Sequence, residues 1–276
     1  MSKLTRFGVI FAGGLIAIGA VSPFAYANHA WGPYHWARTS NPFTLKLGNN
    51  VSSTWDASLT LASTDWSQSS VLHTKVVPGL TSGRRCRASN GRVEVCNYNY
   101  GNNGWLGIAQ IWVSGSHITQ GVVKMNDTYF NTSQYDTSAW RNMVVCQEIG
   151  HTFGLNHQDE NFYNTNLDTC MDYTSDPTSN QHPNQHDYDM LEIIYWHLDS
   201  ITTLATSIVS KPALASDVTD DPSTWGKEIH TSSDRHSSVF ERNAENGAKV
   251  MTHVFWADRG DQVGKSGENR NEGENK

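Results

Sequence analysis

The sequence predicts an α+β fold, because strand-like and helical segments occupy mainly different parts of the chain. Short apolar or alternating segments, bounded by glycine, proline and asparagine, are concentrated between residues 43 and 126, which is typical of β-strands. Apolar side chains recur at helical spacing from residue 136 to residue 151 and again from residue 187 to residue 198. We therefore expect a sheet built mostly by the first half of the chain and two helices in the second half.

Five strands and three helices follow from these patterns. Asp136 or Thr137 can cap the helix that contains His151, and Gly154 is well placed to end it in a left-handed turn. A shorter helix precedes the second strand. The predicted strands are residues 43–47, 71–77, 91–100, 105–113 and 121–126, and the predicted helices are residues 55–66, 136–151 and 187–198.

Gly101, Gly104 and Gly107 interrupt the region around the fourth predicted strand. Glycine weakens a strand and often marks a bulge. This region therefore suits the edge of a sheet better than a central strand. An exposed edge could bind an extended peptide by adding it as a further strand.

Length and charge limit the number of domains and the classes of partner. A chain of 276 residues can form one fairly large domain or two small ones, with a self-sufficient core. Only 17% of the residues are charged and the formal net charge is −7. Nucleic acid is an unfavourable partner for such a chain, since its phosphates are normally met by a basic surface.

Residues 1–27 have the three parts of a secretory signal peptide. Lys3 and Arg6 precede an apolar run over residues 7–21, and the small-residue segment Ala25-Tyr26-Ala27 follows. An uncleaved membrane anchor is the alternative, but the run is shorter than the roughly 20 residues that span a bilayer. We expect cleavage after Ala27 and a secreted, extracellular or periplasmic protein without stable membrane association.

The four cysteines suggest two disulfides in an exported chain, and four cysteines allow three pairings. Sequence proximity favours Cys86 with Cys96 and Cys146 with Cys170. The second pair would connect the residue before Gln147 to a distant loop.

The C-terminal quarter is interpreted as an extension followed by a tail. Residues 201–257 form the extension, in which residues 237–241 and 249–256 could make a hairpin around Asn246-Gly247. Residues 258–276 contain almost nothing apolar and are expected to be disordered.

The segment from Gln147 to His157 has the spacing of a zinc-binding helix. Residues four apart on a helix share a face, so the side chains of Gln147 and His151 can reach one ion. Gly154 lets the chain turn sharply and bring His157 back as a third ligand. Three protein ligands leave one position for water, which zinc makes acidic enough to attack at neutral pH. Glu148 is displaced round the helix, where it can take the proton of that water.

Gln147 stands at the first ligand position, where histidine would be expected. An amide oxygen is uncharged and less basic than an imidazole nitrogen, so zinc should be held less tightly. The weaker donor set would also leave the ion more Lewis-acidic.

This motif, with Met171 fourteen residues after His157, resembles the metzincin family of zinc endopeptidases, in particular small secreted bacterial members and the matrixin-like and astacin-like groups. The resemblance covers about residues 43–200. It implies a zinc-protease domain over residues 28–200 with a twisted mixed sheet, an active-site helix and a C-terminal helix. The cleft edge strand of the family corresponds to about residues 104–111.

The resemblance also implies roles for individual residues. Glu148 would be the general base, and Gln147, His151 and His157 the zinc ligands. Met171 would lie in the turn beneath the metal. Tyr173 looks like the astacin-type tyrosine that approaches the metal and stabilises the tetrahedral intermediate.

The leading hypothesis is therefore a secreted, monomeric, zinc-dependent endopeptidase that acts on peptides or proteins. The alternative is a weak or inactive metzincin scaffold that binds peptide or protein in its cleft, and a third reading is a cell-envelope binding protein with no metal role. Calcium could bind the acidic loop that contains Asp159, Glu160, Asp168 and Asp172, although a solvated polar loop is the simpler interpretation.

Overall fold

The structure is a computed structural model that describes residues 29–205, 220–244 and 247–258. The predicted signal peptide and almost all of the predicted disordered tail lie outside these residues. Within them the chain forms a mixed α+β fold with one large twisted sheet and few helices.

Along the described chain, two strands, one helix and four more strands are followed by three helices and then by three C-terminal strands. The strands are β1 (His35–Trp36), β2 (Phe43–Asn50), β3 (Leu72–Pro78), β4 (Val93–Tyr98), β5 (Trp105–Ser114), β6 (His117–Asn126), β7 (Lys227–Thr231), β8 (Ser237–Asn243) and β9 (Lys249–Trp256). The helices are α1 (Ser53–Trp66), α2 (Asp127–Phe130), α3 (Ser138–His151) and α4 (Gln185–Ile194), with a 3-10 turn at Pro222–Thr224.

The sheet is mixed, with strand order β3-β2-β4-β6-β5-β9-β8-β7 and β1 paired to β6. Strands β2, β3, β4 and β6 run parallel to one another. From β5 onward every pairing is antiparallel. The hairpin predicted from residues 237–241 and 249–256 corresponds to β8 and β9, and it continues the main sheet rather than lying beside it.

Strand β5 is not an edge strand, so the prediction of an exposed edge at residues 104–111 is wrong. β5 pairs with β6 on one side and with β9 on the other. The glycine-rich region produces a register shift between Trp105 and Gly107, as a bulge does, but it does not end the sheet. Strand β7, whose five residues are all exposed, is the last strand of the sheet on this side.

Helices α1 and α3 pack against each other, and α1 also contacts β3 while α3 contacts β5 and β6. Trp66 of α1 is fully buried and donates its indole N–H to the carbonyl of Cys146 in α3 at 3.1 Å. A second apolar cluster contains Trp105, Val254 and Trp225 and includes the hydrophobic side chains around β5 and β9. Burial of these large side chains is what fixes the C-terminal strands to the sheet.

Two disulfides join the expected cysteines, Cys86 to Cys96 and Cys146 to Cys170, with Cα–Cα distances of 5.9 and 6.0 Å. None of the helices in the described part of the chain is long and apolar enough to cross a membrane.

The N-terminal cap of α3 agrees with the prediction, whereas both ends of α4 differ from it. Thr137 caps α3, since its hydroxyl accepts from the N–H of Trp140 at 3.2 Å. Helix α4 begins two residues earlier than predicted because the Asn184 side chain and Asp187 form a capping box. It ends at Ile194 rather than at Leu198. Just after that end, Nη2 of Arg38 donates a hydrogen bond to the carbonyl oxygen of Tyr195 at 2.8 Å.

Candidate metal centre

Helix α3 and the turn after it place two of the predicted ligands side by side. His151 is the last residue of α3. Gly154 adopts φ +96°, and a Cβ there would lie 2.2 Å from the carbonyl oxygen of Tyr34, so only glycine fits this turn. The turn returns His157 to His151, with ring centroids 4.6 Å apart.

A third histidine, His253, completes a cluster with His151 and His157. It lies on β9, and one ligand-capable atom from each of the three residues lies within 4.8 Å of the others. Its ring centroid is 3.9 Å from that of His151 and 4.8 Å from that of His157. All three side chains are buried. The structure thus brings together two predicted ligands and one residue that the sequence did not suggest.

The sequence does not indicate His253 as a candidate ligand, because this residue belongs to no helical motif. The segment around it was recognised only as half of a hairpin. Its one usable signal is a histidine on the inward face of a mostly apolar strand, which on its own predicts a core position more readily than a ligand.

The three imidazoles have a shared hydrogen-bond pattern. The Nδ1 atom of His151 is 2.9 Å from the carbonyl oxygen of Leu155, and that of His157 is 3.2 Å from Oε1 of Glu160. The Nδ1 atom of His253 is 3.0 Å from Oε2 of Glu148. A carbonyl can only accept, so His151 must carry its proton on Nδ1 and present a bare Nε2. Metal-binding histidines are oriented by such acceptors behind the ring.

The Nε2 atoms of His151 and His157 are buried without a hydrogen-bond partner in the described part of the chain. A buried nitrogen without a partner is costly. A metal ion bound by both atoms would remove that cost, so the residues present fit a zinc ion.

Glu148 lies fully buried beside this cluster. While its Oε2 faces His253, its Oε1 has no hydrogen-bond partner among the described residues. The carboxylate fits here because residue 107 on β5 is glycine. A Cβ at Gly107 would lie 2.7 Å from Oε1 of Glu148 and 2.7 Å from Val144.

Tyr173 contacts His253 through Nε2, the ring nitrogen that does not face Glu148. Its hydroxyl lies 3.1 Å from Nε2 of His253, and its ring centroid is 4.4 Å from that of His157. The side chain is fully buried. Both residues predicted to be catalytic, Glu148 and Tyr173, therefore lie against the three-histidine cluster.

Gln147 is fully buried, and its side-chain amide is hydrogen-bonded to the loop that contains Cys170. Its Nε2 donates to the carbonyl of Cys170 at 2.9 Å, and its Oε1 has no partner among the described residues. Since the disulfide joins Cys146 to Cys170 as well, two neighbouring residues of α3 are tied to the same loop residue.

Met171 follows Cys170 and packs beneath the helix. A Cβ at Gly150 would lie 2.6 Å from the sulfur of Met171, which means that the helix and the loop approach closely here. The loop is fixed to the segment after His157 by two backbone hydrogen bonds, from Gln158 to Met171 and from Tyr173 to Asp159. These contacts set the position of Tyr173 relative to His157.

Burial dominates the electrostatics of the centre. It lowers the pKa of His151 and His253 well below the ordinary histidine value, and the neighbouring imidazoles lower both further. Burial also lowers the pKa of His157, although the hydrogen bond to Glu160 opposes the effect. Burial raises the pKa of Glu148 well above its ordinary value. The imidazoles are thus kept neutral, which is the form that binds metal.

The acidic loop gives no support to calcium. Asp172 accepts hydrogen bonds from the backbone of Leu167 and from Asn180, while Glu160 bonds to His157 and to His230. Among the described residues, no three of these acidic side chains bring carboxylate oxygens within 4.8 Å of one another.

The cluster is closed to solvent in this structure. Glu148 and Tyr173 are 0% exposed and His253 is 1% exposed. A cavity of about 630 Å³ lies near β7 to β9 and Tyr163, but its lining includes none of the residues of the centre.

Comparison with protein-family models matched residues 40–191 to a family described as metallopeptidase family M12B, reprolysin-like. The match covers just over half of the chain, includes α3 and His157, and ends before His253. It supports a metzincin-type zinc metalloprotease, whereas the matrixin-like or astacin-like grouping receives no support from it. Comparison with curated proteins gave no significant match.

Proposed function

Since the chain belongs to the M12B reprolysin-like family of metallopeptidases, we propose that it is a secreted zinc-dependent endopeptidase whose zinc ligands are His151, His157 and His253. The observation that carries this proposal is the convergence of three buried imidazoles, two of them with unpartnered Nε2 atoms.

His253 takes the place that the sequence motif gave to Gln147. An imidazole nitrogen is a stronger zinc donor than an amide oxygen, and the Gln147 side chain has a structural role, since its Nε2 donates to the carbonyl of Cys170. Three histidines restore the ligand set that supports catalysis in other zinc enzymes, with one position left for water.

Zinc bound here would supply a Lewis acid that lowers the pKa of a water molecule and polarises the scissile carbonyl. Glu148 would accept the proton of the attacking water through Oε1 and deliver it to the leaving amine. Its other oxygen would keep His253 in the tautomer that presents Nε2. The Tyr173 hydroxyl would donate a hydrogen bond to the oxyanion that forms from the carbonyl.

Substrate cannot pair with β5 in the conformation described, because β9 occupies that side of the strand. The buried centre therefore needs an opening before a peptide can reach it. Closure by a mobile element is common in enzymes that exclude water from the reaction.

The test is hydrolysis of a mixture of short peptides by zinc-loaded protein, followed by mass spectrometry. Glu148→Gln should bind zinc as the wild type does and lose at least 100-fold in rate, the usual scale for a general base. Tyr173→Phe should lose about 10- to 1,000-fold in kcat with little change in zinc content, since one oxyanion donor is removed. Full zinc loading with no cleavage by the wild type would favour the inactive scaffold instead.

Export is part of the proposal and has its own support. Two disulfides suit an oxidising compartment, and residues 1–27 carry the signal-peptide pattern. Amino-terminal sequencing of the protein recovered outside the cytoplasm should begin at Asn28.

A further inference from the structure

A second histidine cluster surrounds Asp199, which lies shortly after helix α4. The Nε2 atoms of His117, His35 and His197 lie 3.3, 3.4 and 3.7 Å from the Oδ1 atom of Asp199. These residues come from three separate parts of the chain: β1, the start of β6 and the segment after α4. The cluster shares no residue with the proposed peptidase centre.

The distances from Oδ1 of Asp199 to Nε2 of His117 and of His35 match those between the ligands of a tetrahedral zinc ion, and the distance to Nε2 of His197 is slightly longer. Zinc–nitrogen and zinc–oxygen bonds of about 2.0–2.2 Å place neighbouring ligand atoms about 3.3–3.6 Å apart. The ligand atoms of His35, His117 and Asp199 all lie within 4.8 Å of one another. His197 lies outside this three-residue group, so its side chain has to rotate for its Nε2 to join the other ligand atoms.

His35 provides an independent sign that a cation belongs here. Its Nδ1 lies 2.9 Å from the carbonyl oxygen of Pro33, which can only accept, so Nδ1 carries the proton. In the neutral imidazole the Nε2 lone pair then faces Oδ1 of Asp199 at 3.4 Å. Two acceptors that face each other repel, so this contact needs either a second proton on His35 or a metal cation between the two atoms.

Arg38 orients the carboxylate. Its backbone N–H and its Nη1 both donate to Oδ2 of Asp199, at 3.2 and 3.0 Å. Oδ2 is thereby occupied and Oδ1 is turned toward the three imidazoles. Such an outer contact fixes a metal-binding carboxylate. Because the Arg38 guanidinium partly neutralises the carboxylate of Asp199, we expect a metal ion to bind here with moderate rather than very high affinity.

We propose that His35, His117, His197 and Asp199 form a structural site for a zinc-class divalent ion. Four protein ligands leave no position for a reacting water, which distinguishes structural from catalytic zinc sites. The ion would fasten the segment around β1 and the segment after α4 to the start of β6. Those two segments are already joined by backbone hydrogen bonds from Asp199 to Arg38 and from Thr203 to Ala37.

The test compares metal binding by the full chain after its metal has been stripped with a chelator. The variants are His117→Ala and His197→Ala, whose side chains are 28% and 34% exposed and therefore tolerate truncation. His73→Ala, on the exposed side of β3, is the matched control. Cobalt(II) is added to each protein, unbound ion is removed, and bound equivalents and the visible spectrum are recorded.

The wild type and His73→Ala should bind two equivalents of cobalt with tetrahedral spectra, and each cluster variant should bind one. A His151→Ala/His157→Ala variant should keep one equivalent, and that equivalent should raise its melting temperature by several degrees. Equal cobalt binding by the wild type, His117→Ala and His197→Ala would overturn the proposal, as would equal loss in His73→Ala. Peptide cleavage by His117→Ala reports on the other centre, so the two proposals can fail separately.

Discussion

The Nδ1 atom of His253 lies 3.0 Å from Oε2 of Glu148, and this contact joins two residues that are 105 positions apart in the chain. It connects β9, which lies between β5 and β8 in the sheet, to the helix that carries the motif around Gln147. In the proposed centre, this contact would orient His253 as a metal ligand and leave Oε1 of Glu148 for proton transfer. The C-terminal strands are therefore part of the proposed centre rather than an appendage.

Replacement of Gln147 by alanine should leave metal binding intact. The amide holds the Cys170 carbonyl in place, and we expect Gln147→Ala to lose about 1–3 kcal/mol of unfolding free energy because a buried carbonyl loses its partner. Zinc content, measured by elemental analysis after dialysis, should equal that of the wild type. Loss of one zinc equivalent in a folded Gln147→Ala protein would instead make the amide oxygen a ligand.

Removal of the Cys146–Cys170 disulfide should weaken both stability and metal binding. The Cys146→Ser/Cys170→Ser variant should lose about 2–4 kcal/mol in denaturant unfolding, and its zinc affinity should fall because α3 and the Met171 loop are no longer fixed together. Cys86→Ser/Cys96→Ser is the control, since that disulfide lies outside the centre. It should lose stability but keep its zinc affinity, and an equal fall in affinity in both variants would contradict the account.

Acidification should destabilise the zinc-free protein. The pKa values of His151, His157 and His253 are lowered in the folded state, so the unfolded chain binds more protons than the folded chain below about pH 6.5. Each histidine can then contribute up to about 1.4 kcal/mol of lost stability per pH unit. The raised pKa of Glu148 acts in the opposite direction, but one carboxyl is outweighed by three imidazoles.

Urea unfolding in the presence of a chelator between pH 7 and pH 5 measures this effect. The unfolding free energy should fall steadily as the pH falls, and His253→Ala should show a shallower slope than His73→Ala. A free energy that stayed constant or rose on acidification would show that the histidines are not buried in the neutral form.

Most elements of the fold could be predicted because their signals are local. The capping hydroxyl of Thr137 and the left-handed Gly154 both act within a few residues, and they delimit the segment from the start of α3 to the turn after it. Strand β6 was predicted to begin at residue 121 but begins at His117, because a turn at Gly115, with φ +61°, forms a longer hairpin with β5.

Local sequence patterns do not predict which strands pair when those strands are far apart in the chain. Nothing near Gly104 or Gly107 indicates that β9 will add to β5, because that pairing depends on apolar burial between segments far apart in sequence. For the same reason, the motif around Gln147 indicates where the candidate metal centre lies but does not indicate its third imidazole. His253 becomes visible only once β9 is placed beside β5.

The zinc content of His253→Ala tests the central claim most directly. Purified wild type, His253→Ala, Gln147→Ala and His73→Ala are dialysed against the same limiting free zinc and analysed for bound metal. We predict that His253→Ala alone loses one equivalent relative to the wild type, while its circular dichroism shows a folded protein. Full retention of zinc by His253→Ala, or loss of that equivalent by Gln147→Ala instead, would contradict the assignment of His253 as the third ligand.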